Sequence, residues 1–67
     1  MRYIVKEQDQ RCVLIAPHDM IIISWIKGKF NDTQDIDFLG DIPDATTIAT
    51  AMREIGDYLA ENYKELL

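Results

Sequence analysis

The chain has 67 residues, twelve acids against seven bases, a formal net charge of −5 and a single cysteine. A chain this short buries only about 60% of the surface its unfolded form exposes, so small domains lean on a disulfide, a metal or a partner. An intrachain disulfide is excluded because Cys12 stands alone. A structural zinc finds only His18 beside it, too few ligands of the preferred kind.

No leader pattern opens the sequence. The longest apolar run, Met20 to Ile26, is broken by Ser24 and falls far short of the ~20 residues a membrane helix needs. With one free thiol, these features point to a soluble, cytoplasmic protein with no membrane partner. Charge is distributed unevenly. Residues 1–30 carry five bases and three acids, whereas residues 31–67 carry two bases and nine acids. Such an acidic half repels phosphate backbones, so direct nucleic-acid binding is not expected, and it favours a protein partner with a basic surface.

In chain order, residues 2–6 alternate, with Tyr3 and Val5 on one face and Arg2, Ile4 and Lys6 on the other. That alternation predicts a first strand. The polar Glu7-Gln8-Asp9-Gln10 suits a hairpin loop, and residues 11–16 form the second strand. Pro17-His18-Asp19 marks a tight reversal, since proline pre-sets a turn and donates no ladder hydrogen bond. Residues 20–26 are rich in isoleucine, whose branched Cβ fits a pleated sheet, and predict a third strand.

This third strand is apolar on both faces. Ile21, Ile23 and Trp25 point one way, and Met20, Ile22 and Ile26 the other. One helix can shelter only one face of a small sheet, so either this strand is central with its second face also covered, or an apolar patch is left open to a partner. Ile21, Ile23 and Trp25 are the residues expected to form that dimer or partner face.

Asn31-Asp32-Thr33-Gln34 is turn-rich, and Asp35-Ile36-Asp37-Phe38 alternates as a short fourth strand over 35–38, after which Gly40 breaks the pattern. From about residue 45 to residue 66, Ile48, Met52, Ile55, Leu59, Tyr63 and Leu66 recur at spacings of three and four, one apolar helical stripe. Pro43 marks its boundary, and Asp44 is the expected N-cap. A second line of small residues, Ala45, Ala49, Gly56 and Ala60, suggests close packing on the sheet or a helix–helix contact. Residues 1–67 are thus expected to form one α+β domain. Its architecture is an antiparallel meander of three or four strands with one amphipathic C-terminal helix packed across one face.

Residues capable of chemistry are sparse. Cys12 and His18 are the only thiolate–base candidates, but strand spacing holds them apart, and Cys12 shares a face with Leu14 and Ala16 as a small buried hydrophobe would. Against a calcium-binding loop, Asp35, Asp37 and Gly40 fit, but Leu39 and Thr46 stand where further oxygen ligands belong. No cofactor motif is present, and no enzymatic activity or metal site is expected. The acids Asp32, Asp35, Asp37, Asp41, Glu54, Asp57 and Glu61 instead suggest a row of negative charge. Such a row can mimic a nucleic-acid backbone and fill the basic groove of a nuclease, repressor or polymerase.

Two functions follow as expectations. One is a non-catalytic interaction protein that binds and inhibits or regulates a partner, in the manner of phage or mobile-element inhibitors. The other is a homodimeric regulatory module, paired through the apolar sheet face or the small-residue line of the helix. In its Met1-Arg2-Tyr3 opening and its strands-then-helix order, the chain resembles the N-terminal part of HicB-type antitoxins. The Pro-Asp-Leu-Pro-Gly signature of that family is replaced here by Asp41-Ile42-Pro43-Asp44. The resemblance implies a dimeric fold and assigns no residue a role.

Overall fold

The computed structural model describes residues 3–67. Four strands, β1 (Ile4–Gln8), β2 (Arg11–Ala16), β3 (Ile21–Ile26) and β4 (Asp35–Phe38), pair antiparallel in the order β1-β2-β3-β4. A short helix α1 (Phe30–Thr33) links β3 to β4, and α2 (Ala45–Asn62) runs on into a 3-10 turn, Lys64–Leu66. The expected α+β meander with a C-terminal helix is therefore present, with all four strands.

Boundaries moved where backbone geometry overrides side-chain pattern. The first strand begins at Ile4 and reaches Gln8, so the hairpin loop shrinks to Asp9 and Gln10, with Asp9 at φ 59°. Arg2, expected in that strand, lies outside the described residues. Met20, expected in the third strand, instead closes the turn after Pro17 at φ 59°, a left-handed conformation that an L side chain enters at a cost. The amides of Asp19 and Met20 donate to the carbonyls of Ala16 and Pro17 at 3.1 and 3.3 Å, the tight reversal that Pro17 announces.

Alternation along the strands sorts side chains onto two faces. Cross-strand partners Val5, Leu14, Ile23 and Ile36 form one row of the covered face, with Ala16, Ile21 and Phe38 beside it, and Cys12 and Trp25 on the other flank. Onto this face α2 lowers Ala51, Ile55 and Leu59, which with Leu66 complete a core of ten buried residues. At roughly 25 cal/mol per Å2 of apolar area, sealing this face is the main favourable term of the fold.

The α2 helix starts where its cap is made: the Thr47 amide donates to Asp44 Oδ1 at 2.8 Å. It ends at Asn62, whose side-chain amide donates to the Tyr58 carbonyl at 3.0 Å, and Tyr63 leaves helical geometry with φ −137°. The single long helix expected to residue 66 is thus broken at Tyr63, and the turn that follows redirects Leu66 into the core. There the Leu66 carbonyl accepts from Trp25 Nε1 at 2.8 Å and from the Gly28 amide at 3.0 Å. Phe30 donates its amide to the Leu67 carbonyl at 3.2 Å and meets Trp25 edge-on, ring centroids 5.1 Å apart.

Of the small-residue line on α2, Ala45, Ala49 and Ala60 are exposed and Gly56 is half-buried. A Cβ at Gly56 would meet nothing within 4 Å. Close packing of this line on the sheet, expected from the sequence, does not occur, because the covered stripe runs beside it, along Ala51, Ile55 and Leu59.

Candidate interaction surface

The sheet has a second face, and no element of the described chain lies over it. Its rows follow from the same register: Ile4, Ile15, Ile22 and Asp37; then Lys6, Val13, Ser24 and Asp35; then Gln8, Arg11 and Ile26. Ile4 is 46% exposed, and Val13, Ile15, Ile22 and Ile26 are half-buried. At one end of the sheet Met20 and Leu39, 45% and 48% exposed, are joined by the Leu39 amide donating to the Met20 carbonyl at 2.9 Å.

This placement corrects the expectation for β3. Ile21, Ile23 and Trp25 are not offered to a partner, since all three are 0% exposed beneath α2. The indole explains the choice of face: a buried N–H needs an acceptor, and the Leu66 carbonyl supplies it on the helix side. The side of β3 left open is the one carrying Ile22, Ser24 and Ile26.

Charge on the open face is segregated. Lys6 on the edge strand β1 and Arg11 on β2 stand at one side, and Asp35 and Asp37 on the opposite edge strand β4 stand at the other, with branched aliphatics between. All four charged side chains are exposed.

The acids proposed from sequence as one row do not lie together. Asp35 and Asp37 project from the open face of the sheet. Glu54, Asp57 and Glu61 are exposed on α2, off the stripe of Ala51, Ile55 and Leu59 that meets the sheet. The two sets therefore belong to different layers of the domain. Asp32 is in α1 and Asp41 in the loop that leads to Pro43. Adjacency along the chain gave the appearance of a stripe, and the strand–helix connection divides it.

Among the described residues there is no concave pocket, and no three His, Cys, Asp or Glu side chains gather as a metal site. Asp35 and Asp37 sit in a strand and Thr46 in a helix, so the positions of the calcium-loop alignment are divided among strand, loop and helix. Cys12 is fully buried between Leu14 and Trp25 in the pairing pattern, and His18 is exposed in the turn. Burial pushes the Cys12 thiol above its ordinary value, and the Glu7 carboxylate adds to this while Lys27 opposes it. A thiol so placed is held protonated and shielded. Lys27 Nζ and Glu7 Oε2 form an ion pair of 2.9 Å, partly exposed, which raises the lysine through that hydrogen bond.

No helix of the described residues is long and apolar enough to cross a membrane. No protein-family model, curated protein or solved structure matches this chain. The class defined is thus one of architecture: an antiparallel four-stranded meander, covered on one face by a single helix and open on the other.

Proposed function

We propose that this protein is a non-catalytic interaction module that binds, and thereby inhibits or regulates, a protein partner, with the open face of its sheet as the working surface. The observation carrying this is the row Ile4–Ile15–Ile22, aliphatic across three strands and lying on the face opposite the one that α2 covers. Contiguous apolar surface of this kind, bordered by charge, marks binding sites on small proteins. The net charge of −5 favours a partner with a basic surface and disfavours nucleic acid itself. Glu54, Asp57 and Glu61, on α2, add a long-range attraction that steers such a partner.

The test is capture of proteins from lysate with the wild-type chain and with Ile22→Lys, at low and high salt. The proposal expects a partner retained by the wild type at low salt and lost with Ile22→Lys. Equal retention by the variant would remove the sheet face from the account. Recovery of no basic protein at low salt would count against the electrostatic part.

A further inference from the structure

We infer that the open sheet face pairs with a second copy of itself, about a two-fold axis that runs nearly parallel to the strands and places Lys6 of one subunit over Asp35 of the other. The inference rests on the open face being a binding surface, as proposed above, and assigns that face to a second copy in place of a foreign partner with a basic surface.

Lys6 and Asp35 occupy one cross-strand row, Lys6-Val13-Ser24-Asp35, at its two ends. A two-fold axis parallel to the strands and passing between β2 and β3 exchanges left and right while keeping each row in place. It lays β1 of one copy over β4 of the other and β2 over β3. Each Lys6 then faces the second copy's Asp35, twice per dimer. In the neighbouring row Ile15 faces Ile22, also twice.

The alternative two-fold, perpendicular to the strands, lays β4 on β4 and β1 on β1. It reverses the order of the rows, bringing the β4 carboxylates of the two copies together and Lys6 towards Lys6. Like charges brought together at an interface oppose association, whereas opposite charges fix orientation. The parallel axis pairs Lys6 with Asp35 and Ile15 with Ile22, while Asp37 falls over Ile4 and Arg11 over Ile26, with both of these charged groups at exposed positions of the face. Face-to-face sheets normally cross at about −30°, which displaces the outer strands by about one residue, within the reach of a lysine side chain.

Interface size sets the expected strength. Four strands about 4.8 Å apart and four to six residues long present a footprint of roughly 330 Å2 per subunit. That lies well below the ~800 Å2 per partner of standard stable interfaces, so the dimer should be reversible and depend on concentration.

The experiment is sedimentation equilibrium of the full chain at low salt across a wide concentration range, for wild type, Ile22→Lys, Lys6→Glu, Asp35→Lys and the Lys6→Glu/Asp35→Lys double variant. Circular dichroism melting of each confirms folding. Wild type should move from monomer to dimer with rising concentration, and Ile22→Lys should stay monomeric. Each single charge reversal should weaken the dimer several-fold, and the double variant should regain most of that loss. The charge reversals lie on exposed edge-strand positions, so they keep the test valid if Ile22→Lys disturbs folding. A wild type monomeric throughout overturns the self-association. A dimer indifferent to Ile22→Lys, or a double variant no better than the singles, also overturns it. If the chain is monomeric yet Ile22→Lys still abolishes capture of a foreign protein, the second copy is ruled out while the interaction reading stands. If neither property changes, both fall.

Discussion

The indole N–H of Trp25 donates to the backbone carbonyl of Leu66 across 41 residues of sequence, at 2.8 Å and fully buried. The carbonyl also accepts from the Gly28 amide at 3.0 Å, so one oxygen ties the last turn to the centre of the sheet and to the β3–α1 connection. This contact fixes which face of β3 the helix covers, and so which face remains open.

Truncating Leu66 tests that tie. Leu66 is 3% exposed, and Leu66→Ala is expected to destabilise the protein by about 2–5 kcal/mol, the usual range for a buried leucine. Trp25 is the only tryptophan, so its fluorescence reports the site without interference. Urea denaturation followed by that signal should give a lower midpoint in Leu66→Ala. An unchanged midpoint would show that the last turn is not part of the cooperative core.

Gly56 offers the opposite test. It lies within α2 with nothing within 4 Å of a prospective Cβ, so its flexibility satisfies no packing demand. Gly56→Ala should therefore stabilise the fold by about 1 kcal/mol, the difference in helix propensity. A loss of stability in chemical denaturation would mean that something packs there after all.

Acid should weaken α2 at its start. The hydrogen bond from Thr47 holds the Asp44 carboxyl below its ordinary value. A group lowered on folding contributes stability that is present above its unfolded pKa and is lost as pH falls through the folded one. Thermal melts of the wild type should show this loss from the ordinary aspartate range downward. Asp44→Asn, which keeps an acceptor oxygen but no titration, should show a smaller acid loss. Identical acid profiles for the two proteins would exclude the cap as its source.

The fold was largely legible in the sequence because its strongest signals are periodic. The alternation of residues 11–16 and 35–38 marked β2 and β4 at their observed bounds, and Asp44 after Pro43 marked the start of α2. What escaped had non-local or conformational causes. Short α1 depends on tertiary partners, with the Phe30 amide on the Leu67 carbonyl and Thr33 Oγ1 accepting from the Ile26 amide at 2.9 Å. Met20 has a strand former's neighbours but a left-handed backbone.

The surface was half legible. Two apolar sides of residues 21–26 were visible, but not which one the helix would take, because isoleucine occupies both. Trp25 held the only clue, since its N–H requires a buried acceptor that the helix side alone provides. The segregation of Lys6 from Asp35 and Asp37 was invisible until strand order and register put them at opposite edges of one face.

We propose that the exposed side of β1–β4 is where copies of this protein make contact, and backbone amide chemical shifts recorded on serial dilution locate that contact. Shifts confined to residues such as Lys6, Val13, Ile15, Ile22 and Asp35, with Glu54, Asp57 and Glu61 unmoved, are the predicted result. Concentration-dependent shifts at those α2 acids, with the strand positions silent, would contradict it.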